Sequence, residues 1–302
     1  MSTGTTFPEP STDDVLPSMP RRRLPGWART TLVVAVMLVA MLVVNALAST
    51  LTNPVAALLL GPALAAAVLL LHRWVGRRLE HREMMELAPD GAPRHLLLGA
   101  AIGAALGAAS VGLLILLGAY RITGWGSVGA ALAVLGVMCA VAVSEEVAFR
   151  GVVLRLLERR WGAPVALGGS ALLFGLVHLL NPGATLLGAL AIAVEAGLLL
   201  GAAYLATGAL WMPIGVHLGW NTMISGVLGA TTSGSEAREA LVTATTSGPG
   251  WLSGGGFGPE ASLVSVLLCA AAAAGFLILA RRRGRIAGGT ASREPGTTGS
   301  AL

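Results

Sequence analysis

Charged residues are scarce in this 302-residue chain, and lysine is absent altogether. Charged side chains make up 12% of the residues and hydrophobic ones 55%. A soluble domain carries about 25% charged residues, so the composition excludes a soluble domain and predicts an integral membrane protein. All 20 basic residues are arginines that lie mainly beside hydrophobic runs. The basic pI near 10.5 therefore does not indicate nucleic-acid binding.

Several catalytic groups are also absent from the hydrophobic runs. The three aspartates, Asp13, Asp14 and Asp90, all lie outside them, which excludes an intramembrane aspartyl protease. No HExxH sequence is present, so a zinc protease of that kind lacks its ligand pair. No GxSxG nucleophile elbow is present either. The two cysteines, Cys139 and Cys269, lie in separate apolar runs, where we expect them to be buried small hydrophobic residues.

The hydrophobic runs predict an all-α polytopic membrane protein with about eight transmembrane helices. The chain shows neither an internal repeat nor a soluble domain. Disordered cytoplasmic tails are predicted at 1–28 and 282–302, on either side of a membrane domain at 29–281. A Gly/Ser/Thr-rich loop at 231–258 precedes the last run. The runs are 31–51, 55–75, 96–120, one from about 127, 164–180, 184–205, 209–230 and 260–280.

The arginines predict the orientation of these helices. If both termini are cytoplasmic, nearly all arginines fall on the inner side, as the positive-inside rule requires. The exceptions are Arg121 and Arg238 outside and Arg150 within a helix. Six of the seven tryptophans lie near predicted helix ends, where an aromatic belt is expected, and Trp220 lies within a span. We therefore predict a multi-pass cell-membrane protein with both termini in the cytoplasm.

A short polar sequence, VSEEVAFRG, interrupts the fourth hydrophobic run. A charge at membrane depth costs a few kcal/mol, so such a cluster is by default a functional hypothesis. Glu146 and Arg150 are four residues apart and can pair on one helix face, whereas Glu145 is rotated by about 100° toward another neighbour. The other strongly polar residues that we place within the spans are His178, Glu195, His217 and Asn221.

The spacing of these residues suggests a hydrolytic site. A carboxylate could take a proton from water with the help of an imidazole, and an amide or second imidazole could stabilise an oxyanion. The structural alternative is an ion pair between helices, but such a pair needs only one glutamate. We expect Glu195 to face a pore or pair helices, Phe174 to pack beside the site, and Glu260 to cap the eighth helix.

Three motifs in order resemble the CPBP family, the CAAX-protease and bacteriocin-processing family of intramembrane glutamic endopeptidases. The resemblance covers about residues 130–230. The sequence WLSGGGFGPEASLV at 251–264 is also similar to bacterial members, so we expect the protein in the bacterial plasma membrane. The motifs are EExxxR at Glu145–Arg150, FxxxH at Phe174–His178 and HxxxN at His217–Asn221.

The resemblance implies a role for each matching residue. Glu145 would activate the attacking water, while Glu146 with Arg150 would orient it and hold the site together. His178 would assist. On the seventh span, His217 and Asn221 would form the side of the site that stabilises the oxyanion.

The resemblance also implies that the mechanism needs no cofactor. A Zn²⁺ ion remains an open alternative, because glutamate and histidine are zinc ligands. The ligands in that case would be Glu145, His178 and His217.

The sequence therefore predicts an intramembrane endopeptidase that hydrolyses peptide bonds of membrane-associated proteins or peptides. Its expected partners are that substrate and the lipid bilayer, with no nucleic acid. The alternative is a non-proteolytic membrane scaffold or chaperone that uses the same polar cluster to hold its helices together. Proton-coupled transport is disfavoured because no repeat is visible.

The expected depths of Glu145 and His178 in the membrane differ too much for one shared site. If Arg155 marks the point where the fourth span reaches water, Glu145 is about 15 Å deep at helical rise. His178, counted from Gly162, is about 24 Å deep. We therefore expect the fourth helix to continue past Arg150 and tilt, or the fifth to begin late or tilt strongly.

Overall fold

The computed structural model describes residues 25–236 and 238–286. It is an all-α membrane fold built from eight long helices. Seven of them, all except α7, are long and apolar enough to cross a membrane. The number of spans and the orientation of the termini stay predictions. The helices are α1 (Gly26–Ser49), α2 (Pro54–Glu80), α3 (Ala92–Leu116), α4 (Val128–Trp161), α5 (Ala163–Leu180), α6 (Leu186–Thr207), α7 (Trp211–Asn221, continued by Thr222–Val227) and α8 (Leu263–Arg282).

The predicted tails extend too far into the chain. Helix α1 already begins at Gly26, inside the tail predicted at 1–28. At the other end, the Arg283 guanidinium donates to the Ala206 carbonyl at 3.0 Å, so the chain is still packed there. The remainder of both predicted tails, 1–24 and 287–302, lies outside the described residues.

A two-stranded antiparallel sheet connects two loops that the sequence did not predict to pair. Strand β1 (Tyr120–Trp125) follows α3, which ends at Leu116 and not at Tyr120 as predicted. Strand β2 (Val242–Thr246) lies in the loop before α8. Their register runs from Tyr120 opposite Thr246 to Trp125 opposite Val242. Short helical turns complete the connections; they are Met85–Leu87, Gly250–Ser253, Gly255–Phe257 and Pro259–Ala261.

Helix α4 is 34 residues long, and Arg155 does not mark its exit to water. Arg155 is buried, and its guanidinium contacts both carboxylate oxygens of Glu80 at 2.8 Å. The prediction is wrong because α2 continues to Glu80, five residues beyond the predicted run, and covers this part of α4. The charge of Arg155 is thus neutralised by Glu80 inside the protein.

The length of α4 removes the conflict in depth. Glu145 is 17 residues before Gly162, the turn between α4 and α5, and His178 is 16 residues after it. At helical rise these separations are about 25 Å and about 24 Å. Counted from the same turn, the two side chains thus lie about equally far along their helices, and the fourth helix continues past Arg150 as expected.

The same ion-pair network continues into the loop between α2 and α3, because Arg82 also donates to Glu80 at 2.9 Å. Arg82 contacts both carboxylate oxygens of Glu86 at 2.7 and 2.9 Å, and His72 contacts the same carboxylate at 3.1 Å. Burial alone would raise the pKa of Glu86, but the hydrogen bonds from His72 and Arg82 outweigh burial and lower this pKa to about 2. The loop is thereby attached to the end of α2.

Glycines allow α3 and α7 to approach closely, as small residues do between membrane helices. Gly99 and Gly103 on α3 face backbone carbonyls of α7, and Gly215 and Gly219 on α7 face those of α3. His217 lies two residues from each of the latter glycines, so it points to the opposite side of α7. The glycine contact therefore aims His217 away from α3 and toward α4.

We expect Gly103→Ala to destabilise the fold, because a Cβ there would lie 2.0 Å from the Val216 carbonyl oxygen. Overpacking of this kind costs about 1–3 kcal/mol. Gly112→Ala, on the same helix, is the matched control: nothing lies within 4 Å of its added Cβ. The control should leave unfolding unchanged or raise its midpoint slightly, because alanine favours helix. Thermal unfolding in detergent measures both, and equal midpoints would contradict the packing.

Candidate active site

A cavity of about 260 Å³ lies between α1, α4, α5, α6 and α7 and extends under the loop that follows α7. Leu42 and Leu180 line it and are exposed, so the cavity reaches the protein surface between α1 and the end of α5. Four of the six predicted catalytic residues line it, and the other polar lining residues include an amide of α1 and two further carboxylates. These seven are Glu145, His178, His217, Asn221, Asn45, Glu195 and Glu260.

Glu145 presents a carboxylate to this cavity from the middle of α4, with 7% of its surface exposed. Its Oε1 accepts a hydrogen bond from the Asn45 amide at 2.8 Å. Its Oε2 is 3.9 Å from His217 Nε2, which is beyond hydrogen-bond distance. One carboxylate oxygen is thus held in place while the other can bind a molecule in the cavity.

Asn45 is a site residue that the sequence analysis missed. It lies on α1, and its Oδ1 accepts a hydrogen bond from the Ser144 hydroxyl at 3.0 Å. The Ser144 hydroxyl can also donate to the Val141 carbonyl at 3.0 Å. The orientation of the amide therefore follows from Glu145, whose carboxylate only accepts and so requires the amide nitrogen on its side. A single amide within an otherwise apolar span was the available signal, because polar groups at membrane depth need a partner.

Glu146 stands behind the cavity and not in it. Its Oε1 accepts hydrogen bonds from the Arg150 guanidinium at 2.8 Å and from His217 Nδ1 at 3.0 Å. Both Glu146 and Arg150 have no exposed surface, and neither lines the cavity. The structure thus gives the adjacent glutamates different surroundings: Glu145 faces the cavity and Glu146 binds the helices together.

Arg150 connects α4 to α5 and α6. Its second terminal nitrogen donates to the carbonyls of Ala196 and Gly197, both at 3.2 Å. Its guanidinium carbon also lies 4.4 Å from the centre of the Phe174 ring, within cation–π distance. Phe174 is fully buried, as expected for a packing residue.

Three wide, π-helical stretches surround the site. They are Val147–Leu154 directly after Glu146, Ala193–Leu198 around Glu195, and Thr222–Val227 directly after Asn221. π-Helical turns are rare in proteins as a whole, but those that occur are often at functional sites.

The two imidazoles have defined orientations. His178 ends α5, and its Nδ1 donates to the Phe174 carbonyl at 2.7 Å, which leaves the lone pair on Nε2 in the neutral ring. His217 Nδ1 donates to Glu146, so its Nε2 faces Glu145. In a protonated ring, this Nε2 would be a hydrogen-bond donor, and the buried Glu146 carboxylate would stabilise that charge.

Asn221 lies one helical turn after His217 and lines the same cavity. One amide N–H contacts the Met138 sulfur at 3.5 Å, a weak acceptor. An amide nitrogen carries two donors, so Asn221 can still donate to a molecule in the cavity.

Glu260 does not cap the last helix, contrary to prediction. Ser262 is the cap, and its side chain accepts from the Ser265 backbone nitrogen at 3.1 Å. Glu260 instead turns inward, because the backbone before α8 forms a tight helical turn at Pro259–Ala261. Its carboxylate accepts from Trp220 Nε1 at 2.9 Å and from the Ser233 hydroxyl at 2.8 Å.

The same carboxylate fixes the loop that covers the cavity. Ser233 has a left-handed backbone (φ 52°), and its backbone nitrogen donates to Glu260 at 2.5 Å. The Asn181 amide donates to the Ser233 carbonyl at 2.7 Å. The loop predicted at 231–258 therefore forms one wall of the cavity, and Ser233 is its attachment point.

A metal site is not evident in the described part of the chain. Within residues 25–236 and 238–286, no three histidine, cysteine, aspartate or glutamate side chains are grouped so that they could hold a metal ion. The alternative ligand set of Glu145, His178 and His217 is therefore not gathered as one group. The expected independence of a cofactor stays a prediction.

Comparison with known proteins supports the family suggested by the motifs. Residues 127–223, about a third of the chain, match the family model of the type II CAAX prenyl endopeptidase Rce1-like proteins. No curated protein and no solved structure matches the chain. The matched segment runs from the start of α4 to just beyond Asn221 and carries all six predicted catalytic residues. The resemblance to the CPBP family is thereby confirmed over this segment, and it supports a CAAX-type peptidase.

Replacing Arg150 with methionine should lower the free energy of unfolding by about 3–5 kcal/mol, because it leaves Glu146 as an unpaired buried charge. The double variant Glu146→Gln with Arg150→Met should cost less than Arg150→Met alone. Chemical denaturation of all variants in detergent measures this double-mutant cycle. A double variant less stable than Arg150→Met would contradict the inferred holding role of the pair.

Proposed function

We propose that this chain is an intramembrane endopeptidase of the CAAX-protease type, which hydrolyses peptide bonds of membrane-associated proteins or peptides. The observation that carries the proposal is the arrangement of two adjacent glutamates. Glu146 is committed to Arg150 and His217, while Glu145 faces a cavity that His178 also lines. A structural ion pair alone needs no second carboxylate directed into a cavity. The match to peptidases over residues 127–223 supports the same function.

The proposed reaction begins with water bound at Glu145. This carboxylate takes a proton from the water as its oxygen attacks the substrate carbonyl carbon, and His178 Nε2 orients the same water. The carbonyl oxygen then becomes an oxyanion, which the Asn221 amide and the protonated His217 ring stabilise by hydrogen bonds. When the carbon–nitrogen bond breaks, the proton passes from Glu145 to the leaving amine, and the two peptide fragments separate.

The surroundings of the cavity suit a substrate that arrives through the bilayer. Leu42 and Leu180 are exposed apolar residues at its surface opening, on membrane-spanning helices. A membrane-associated peptide could reach Glu145 at this opening without crossing the charged loops. We propose the bacterial plasma membrane as the location, on the basis of the similarity of 251–264 to bacterial family members.

Glu145→Gln should reduce cleavage by at least about 100-fold, because it removes the general base. The matched control is Glu158→Gln, which changes the same charge on the same helix outside the cavity. Membranes from cells that produce each protein are compared by mass spectrometry of new peptide termini. Termini present with the wild type and with Glu158→Gln, but absent with Glu145→Gln, support the proposal.

The same experiment separates the protease from a scaffold. A non-proteolytic scaffold or chaperone would retain its partners in Glu145→Gln and would generate no new termini in any sample. Termini that persist in a folded Glu145→Gln variant would exclude the proposed mechanism.

Asn45→Leu should lower kcat about tenfold with little change in KM, because it frees Glu145 Oε1 while leaving the cavity walls in place. A tenfold loss corresponds to about 1.4 kcal/mol. Ser49→Ala is the control: Ser49 lies one turn further along α1 and lines the cavity, but its hydroxyl donates to the Ala46 carbonyl. Steady-state kinetics on a peptide identified by the termini experiment measure both variants. An unchanged kcat in Asn45→Leu would show that Glu145 needs no such support.

A further inference from the structure

Glu195 is a second carboxylate in the cavity that the proposed reaction does not use. It lies on the wide turn of α6, lines the cavity, and is 1% exposed. Its Oε1 accepts only the Cys269 thiol at 3.5 Å, and a thiol is a weak donor. Its Oε2 is buried and has no hydrogen-bond partner among residues 25–236 and 238–286.

The neighbouring Glu260 is different, because its carboxylate is already satisfied. It accepts hydrogen bonds from Trp220 and from both the backbone and the hydroxyl of Ser233. Three donors stabilise its negative charge where it stands. Glu195 therefore lies in the field of a fixed carboxylate and lacks a comparable set of donors of its own.

The two arginines nearest the cavity are already engaged by other groups. Arg150 contacts Glu146 and the carbonyls of α6. Arg238, at the edge of the cavity, donates to the carbonyls of Ser49 and Leu51. Arg238 lines the cavity and keeps its charge, because carbonyls are neutral, but three carboxylates line the cavity as well, those of Glu145, Glu195 and Glu260. An unpaired buried carboxylate is costly, so it either holds a proton or pairs with a cation, and a positively charged ligand would displace that proton and bind in its place.

We propose that Glu195, beside Glu260, forms a subsite that recognises a cationic group of the substrate, an ammonium or guanidinium. The Glu195 carboxylate accepts the charged N–H, and Glu260 adds attraction without giving up its own hydrogen bonds. The subsite shares one cavity with Glu145, so a peptide cleaved at Glu145 can place a basic side chain or a free amino group at Glu195. That assignment of the ligand to a peptide substrate rests on the proposed function.

Binding can be tested without any cleavage. The probes are N-acetyl-lysine amide and its uncharged analogue N-acetyl-norleucine amide, titrated into the full-length protein in detergent. Trp220 reports the occupancy by fluorescence, because its indole contacts Glu260 in the cavity wall. We expect the lysine compound to bind at least tenfold more tightly to the wild type. Equal binding of the two compounds would overturn the proposal, and this comparison needs no variant to fold.

Variants then assign the effect to Glu195. Glu195→Gln keeps the shape of the side chain and should remove the preference for lysine. Glu239→Gln is the matched control, since Glu239 is an exposed glutamate of the adjoining loop that does not line the cavity. It should bind as the wild type does. A lysine preference that survives in Glu195→Gln would also overturn the proposal.

Cleavage separates this proposal from the function on which it rests. Internally quenched peptides carry lysine or norleucine at one position in turn and are otherwise identical. We expect the wild type to show about tenfold higher kcat/KM for lysine at one position, and Glu195→Gln to cleave the two peptides equally. Equal cleavage of both peptides by the wild type at every position would refute the subsite and leave the protease intact. No cleavage by the wild type, with Glu195-dependent lysine binding, would refute the protease and leave a cation site.

Discussion

The buried contact of Glu146 with Arg150 and His217 is the interaction on which the rest of the site depends. At membrane depth a carboxylate must be neutralised by the protein itself, because neither water nor lipid can do so. Arg150 supplies the countercharge, binds two carbonyls of α6 and lies against Phe174 of α5, so one cation joins three helices. Since Glu146 has taken that role, the preceding carboxylate, that of Glu145, is left to face the cavity.

The position of the His217 imidazole depends on a contact between α3 and α7 that involves no charged group. Gly215 and Gly219 press one face of α7 against Gly99 and Gly103 of α3, and His217 projects from the opposite face. A larger side chain at these glycines would displace the helix and move the ring away from Glu146. The position of His217 relative to Glu146 is thus fixed by backbone packing on the opposite face of α7.

Most of the fold could be predicted because membrane helices are recognisable by their hydrophobicity, and the polar residues within them are recognisable by their apolar surroundings. The motif spacing predicted that Glu146 would pair with Arg150, and the structure confirms that contact. Contacts between distant segments were not predictable. Arg155 was assigned to water because its partner Glu80 lies in another helix, and Glu260 was assigned to a cap because local position favoured it. Asn45 was overlooked, although its isolation in an apolar run was visible.

The turn at Gly162 lies nearly midway in the sequence between Glu145 on α4 and His178 on α5. The length of this helical hairpin fixes where the two side chains lie relative to each other. A single inserted residue in either arm would shift its side chain by about 1.5 Å along the axis and about 100° around it. The sequence between these two positions can therefore vary in composition on its lipid face while its length stays constrained. Evolution within this segment should proceed by substitution and scarcely by insertion or deletion.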